Sequence, residues 1–225
     1  MGMKDRIAKE AGTRVVPNVA SGYVRTVLDR AIDGVGPLRS VVETAGAKLA
    51  AHGGDVEKAV AALVRSHTSL AGAQGFVTNL GGIALAPVSV PANVVGVTLV
   101  QCHLVASIAH LRGYDIEDPR VRNAVLAVML GEDTVKDMIR KRTLPSSPMA
   151  LATSPMHDPI LDDRIAKEVT GELVGRTIGR RALMLAGKKI PLLGGAVGAT
   201  ADGFGTWQVG RYAQNELKDR RLRKR

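Results

Sequence analysis

Aromatic residues are 3% of this 225-residue chain: two Phe, three Tyr and one Trp, with one cysteine beside them. With so few rings, the core must be built from Ala, Val, Leu, Ile and Gly, which suits closely packed helices better than a sandwich of sheets. The lone Cys102 excludes an internal disulfide and a thiol-only metal site, and its place in an apolar run reads as a small core residue. Patterns that carry chemistry are also missing: HExxH, GxSxG, CxxC and GxGxxG do not occur. Gly187-Lys188-Lys189 lacks the glycine spacing of a phosphate loop and has Ile190 where a Ser or Thr would hold magnesium. Asp162-Asp163 reads as first-turn helix acids. No catalytic residue, cofactor or metal is expected.

The largest absence is of charge. From Ser66 to Leu111 the chain runs 46 residues without Asp, Glu, Lys or Arg, bracketed by Arg65 and Arg112. Pro87 and Pro91 forbid a continuous helix through this stretch, which reads as a buried helical hairpin with its second arm starting at Pro91. Gly81-Gly82 marks a break in the first arm, and Ala71, Gly75 and Asn79 recur there every four residues. Pro91 to Leu111 has about the length needed to cross a bilayer. Asn93, Gln101, His103, Ser107 and His110 weigh against that.

Around the hairpin the spacing predicts amphipathic helices. Ser21 caps a helix to about Asp33, Pro37 opens one that places Leu38, Val41, Val42, Ala45 and Leu49 on one side, and Asp55 caps a third from Val56 to about Leu70. Asp118-Pro119 opens a helix that ends at Gly131, followed by one over Glu132 to Arg142. Thr143 to Pro159, with four prolines, reads as an extended crossover. Ile160 to about Gly187 is a long or twice-broken helix, and Pro191 opens a final apolar one carrying a Gly194/Gly198 pair, which is expected to pack against the hairpin.

On the second arm Asn93, His103, Ser107 and His110, with Gln101, form a thin polar stripe. His103 and His110 lie two turns apart, roughly 10 Å, too far to ligate one metal. Asp202, in a Gly- and Ala-rich helix, is costly to bury without partners. His103, Asn93, Arg176 and Arg180 are its candidates, and a cluster of these groups would line a cavity for a ligand, with Trp207 beside it.

The formal net charge is +10. Seven basic and two acidic residues lie between Arg211 and Arg225, and five of the last six residues are Arg220, Arg221, Arg223, Lys224 and Arg225. Such a tail suits an anionic membrane surface, each charge adding about 1 kcal/mol near it. Nucleic acid is disfavoured, since the basic residues are not interleaved with stacking rings. The amino terminus, Met1-Gly2-Met3-Lys4-Asp5-Arg6, has no apolar segment behind it and no Ser or Thr at position 6, which points to the cytoplasm.

Ala73-Gln-Gly-Phe through Gly81-Gly82, the Pro87 and Pro91 pair, Gln101, Ile108-Ala-His-Leu-Arg-Gly-Tyr-Asp, Asp118-Pro-Arg-Val-Arg and Ile190-Pro-Leu-Leu-Gly-Gly-Ala-Val-Gly-Ala together resemble the EcsC family of bacterial proteins, over roughly Asp55 to Tyr212. The resemblance implies a mostly helical, membrane-associated protein and supplies no catalytic residues.

The expectation is therefore an all-α, single-domain multi-helix bundle around a central uncharged, glycine-rich helical hairpin. It comprises an arm over 1–20, a helical domain over 21–217 and a basic tail over 218–225. Its expected role is peripheral and lipid-facing, with a basic tail at the inner face of the cell membrane and a hairpin that opens a groove for an acyl chain or inserts shallowly. The rivals are a soluble helical module that binds a protein partner, and an enzyme using Asp202 and His103 as an acid and base pair.

Overall fold

The computed structural model describes residues 22–73, 92–171 and 194–220, with the backbone alone described at 92–94 and 194–201. Among the described residues there are nine helices and no strand beyond an isolated bridge between Val35 and Leu38. The fold is all-α, as expected. We label the helices α1 (22–33), α2 (Val41–Ala51), α3 (Val56–Gly72), α4 (Ala92–Leu111), α5 (Pro119–Leu130), α6 (Glu132–Arg140), α7 (Pro148–Ala152), α8 (159–171) and α9 (Gly194–Glu216).

Local chemistry sets most of the boundaries. The Asp55 carboxylate accepts the Lys58 N–H at 3.0 Å and starts α3, and Asp118 does the same for Arg120 N–H at 2.8 Å with Pro119 in the first turn of α5. These side chains satisfy amides that a helix start leaves without partners. Gly131, at φ +87°, ends α5 and precedes α6. Gly34, also at φ +87°, ends α1, and a Cβ there would lie 2.7 Å from the backbone of Leu38, Arg39 and Ser40, so the turn requires glycine.

Two boundaries differ from the sequence reading. Helix α2 begins at Val41 and not at Pro37, because Pro37 belongs to the turn closed by the Val35–Leu38 bridge and the Ser40 hydroxyl accepts the Glu43 N–H as the cap. That register buries Val41 and Ala45 and turns Val42 outward, 53% exposed. The 143–159 crossover is not wholly extended: Pro148 opens α7, a single turn whose Leu151 and Ala152 pack into the core beside α5. The Ser21 cap, the Gly81-Gly82 break, Pro87, Pro91, Arg176, Arg180 and the helix beyond residue 171 lie outside the described residues.

Helix α4 is the centre of the bundle. It contacts α2, α3, α5 and α9, and every side chain from Thr98 to Ala109 is buried. A helix without charge on any face has no side to give to water. Helix α9 packs on α3 and α4 as expected, but the close approach described is at Gly203 and Gly210. A Cβ at Gly203 would come within 3.3 Å of the Thr68 carbonyl, and one at Gly210 within 3.0–3.1 Å of Val64 and Leu104. No helix among the described residues is long and apolar enough to cross a membrane.

Candidate functional site

The polar stripe on α4 divides between its neighbours. Gln101, buried, donates from Nε2 to Thr206 Oγ1 at 3.1 Å and so pins α4 to α9. His103, fully buried, turns the other way: its Nδ1 lies 2.8 Å from His67 Nε2 on α3, and its Nε2 lies 3.0 Å from the Arg39 carbonyl ahead of α2. Ser107 Oγ is 3.5 Å from His103 Nδ1. The outer nitrogen of His67, Nδ1, meets the Leu63 carbonyl at 2.8 Å, with Ser66 Oγ 3.5 Å away. Both rings are held below the usual histidine range, at about 4, chiefly because burial disfavours the charged form. For His67 the neighbouring His103 adds to the depression; for His103 the Arg39 and Ser40 backbone oppose it.

Both nitrogens of His103 are thus engaged by a histidine and a carbonyl. Of the candidate partners of Asp202, His103 therefore has no further nitrogen for a carboxylate, while Arg176, Arg180 and the Asn93 side chain lie outside the described residues. Asp202 is half-buried on α9, and His110 is half-buried on α4. Asn93 lies in the first turn of α4, and its side chain is outside the described residues. Cys102 is buried in the core with its thiol pushed up to about 12 by burial, which keeps it protonated and inert.

Trp207 does not join these groups. It lies on the outer face of α9, 44% exposed, stacked on Phe204, itself 59% exposed, with ring centroids 5.8 Å apart. The pair borders a cleft of about 560 Å³ between α9 and the start of α6, lined further by Leu130, Glu132, Val209 and Tyr212. Arg211, one turn beyond Trp207, lines the same cleft, while Glu132 on the opposite wall is paired with Lys136 at 2.6 Å. Burial raises the Tyr212 hydroxyl, aided by the Glu216 and Glu132 carboxylates, so it remains a neutral donor.

The start of the basic tail is docked. Arg112, 5% exposed, donates from Nη1 to the Gln214 and Leu217 carbonyls at 2.6 and 2.7 Å, and from Nη2 to both oxygens of Glu57 at 2.9 and 2.8 Å. It therefore caps the C-terminus of α9 from inside the bundle. Tyr114 Oη donates to the Lys218 carbonyl at 3.0 Å, and the Arg220 guanidinium stands 5.5 Å above the Tyr114 ring. Arg221, Arg223, Lys224 and Arg225 lie outside the described residues.

Asp162 has partners beyond those of a first-turn acid. It accepts from Asn123 Nδ2 on α5, lies 2.9 and 3.0 Å from His157 Nε2, and has Arg25 of α1 at 4.0 Å. Through it α8 is tied to α1, α5 and the crossover.

Sequence reasoning missed His67, Arg112, Phe204 and Asn123. A signal for His67 was present: it continues the Val60, Leu63, Val64 spacing, a polar residue at a core position of α3. Arg112 offered none, since an arginine just past an apolar run reads equally well as a solvated end.

No curated protein and no solved structure matches the chain. The model of the EcsC protein family matches residues 39–222, which spans every helix described here except α1. The chain is a member of the EcsC protein family.

Proposed function

We propose that this protein works at an anionic lipid surface without catalysing a reaction, and that it meets the surface through the outer face of α9. The observation that carries this reading is the stacked, exposed Phe204–Trp207 pair. The whole chain has one Trp and two Phe, and two of those three rings lie in water on one helical turn. Burying such rings in a core would stabilise the fold by ~1.5–3 kcal/mol each, so leaving them outside serves something other than stability. Trp belongs by chemistry at the boundary of headgroups and acyl chains, where its apolar body is sheltered and its N–H stays wet. Arg211 beside the rings and the basic residues from Lys218 onward supply attraction to anionic headgroups. The adjoining cleft also carries Glu132, Asp133, Gln208 and Asn215, so the two rings themselves are the apolar surface offered to acyl chains.

Because Trp207 is the only tryptophan, its fluorescence reports on this face alone. Vesicles of anionic lipid should shift its emission to the blue, bromine on the acyl chains should quench it, and Phe204→Ser should weaken both effects. A second reading, docking of a protein partner on the same rings, predicts emission unchanged by any vesicle.

A further inference from the structure

The contacts of His67 and His103 contain one more hydrogen bond than two neutral imidazoles have protons to make. A carbonyl oxygen only accepts, so His67 Nδ1 at 2.8 Å from Leu63 O and His103 Nε2 at 3.0 Å from Arg39 O must both be N–H. Those two hydrogens exhaust the supply. His67 Nε2 and His103 Nδ1 are left facing each other 2.8 Å apart, each with a lone pair. The ring planes lie within 21° of each other, and with centroids 5.1 Å apart the two nitrogens stand between the ring centres, so the lone pairs point along one line. Two acceptors at that distance repel; with a hydrogen between them the same geometry is a good hydrogen bond. The Ser107 hydroxyl, 3.5 Å from His103 Nδ1, can give a hydrogen to that nitrogen but leaves His67 Nε2 unserved.

We propose that the His67–His103 pair is a buried binding site for one proton, shared between Nε2 and Nδ1, whose uptake completes a strut from α3 through α4 to the Arg39 segment ahead of α2. With the proton absent, one of the three links must open, by a tautomer change or a ring rotation. With the proton bound, all three are made at once, and the junction of α2, α3 and α4 tightens. The surroundings set how readily the proton enters. Lys48 of α2 repels it electrostatically. Helices α3 and α4 bring uncharged hydroxyls, Ser66 and Ser107. Helix α9 brings Asp202 to the level of Thr68 through the close approach of Gly203.

The test is long-range proton–nitrogen NMR of the imidazoles in the full chain, from pH 8 down to the onset of acid unfolding, in the natural protein and in His67→Gln. In the natural protein His67 and His103 should titrate in one joint step that takes up a single proton. The amide of His67→Gln can donate to His103 Nδ1 without an added proton, so His103 in that variant should bind a proton about tenfold or more weakly than the pair does. Simple repulsion between two histidines predicts the reverse, a tighter proton once His67 is gone. Equal or tighter binding in the variant overturns the proposal. So do two separate steps, or no uptake short of unfolding, in the natural protein, a measurement that stands even if His67→Gln does not fold.

Discussion

Helices α4 and α9 are both poor in charge and lie against each other, yet they use that property in opposite ways. Helix α4 is uncharged on every side, so α2, α3, α5 and α9 all pack on it, and the polar groups at its centre meet partners on those neighbours: Gln101 meets Thr206, and His103 meets His67 and Arg39. Helix α9 is apolar because it is rich in glycine. Gly203 and Gly210 let it approach α3 and α4 closely, and its large rings, Phe204 and Trp207, are left facing water. A helix poor in charge is therefore buried all round only where its residues are large enough to fill space on every side. Where they are small, the contact is close but narrow, and the opposite face is free for other uses.

The contrast can be broken at several points, taken from the largest expected effect downward. Leu104→Ala, in the middle of α4 and fully buried, should cost about 2–5 kcal/mol in urea unfolding, since the helices around it can close only part of the cavity. A loss under about 1 kcal/mol would mean that α4 is not the packing centre.

Stability should also fall on acidification because of the α3–α4 histidines. Above pH 6.5 both folded and unfolded chains hold these rings neutral. Below 6.5 the unfolded rings bind protons that the folded pair, held at about 4, resists, so folding stability declines as pH drops from 6.5 toward 4. Each proton taken up by the unfolded chain alone contributes about 1.4 kcal/mol per pH unit. Thermal melts across this window should show a shallower slope for His103→Gln, provided the variant folds; an unchanged slope would assign the pH dependence to other groups.

On α9, Gly210→Ala should destabilise by about 1–3 kcal/mol, because its methyl meets Val64 and Leu104 at 3.0–3.1 Å. Gly46→Ala in α2, where a Cβ has open space, should instead stabilise by up to about 1 kcal/mol. Equal effects at the two sites would show that Gly210 is not a contact point. The smallest effect on stability belongs to Trp207→Ser, expected within about 0.5 kcal/mol of the natural protein while vesicle co-sedimentation drops. Loss of stability without loss of vesicle binding would reverse the roles assigned to the two faces.

The features legible in the sequence were those made by neighbours along the chain. Asp55, Asp118-Pro119 and Gly131 could be read as helix ends because a cap is a contact over two or three residues. Pro37 misled because a proline suits both a first helical turn and a tight turn, and the choice went to Ser40, three residues on. Of the expected site residues, Gln101, His103 and Ser107 do lie on α4, but their arrangement with Asp202 and Trp207 as one cluster assumed which faces of α4 and α9 would meet.

By itself, then, the sequence determined a bundle of helices, most of their ends, and the burial of an uncharged α4, since hydrogen bonding within a helix and the period of its apolar residues are local properties. Only the tertiary structure decided that His103 meets His67 across 36 residues, and that Arg112 reaches the Leu217 carbonyl and Gln101 reaches Thr206 across 105. Each such meeting depends on how two helices are rotated against each other. A register change of one residue turns a helix by about 100° and carries a side chain from its partner to another face.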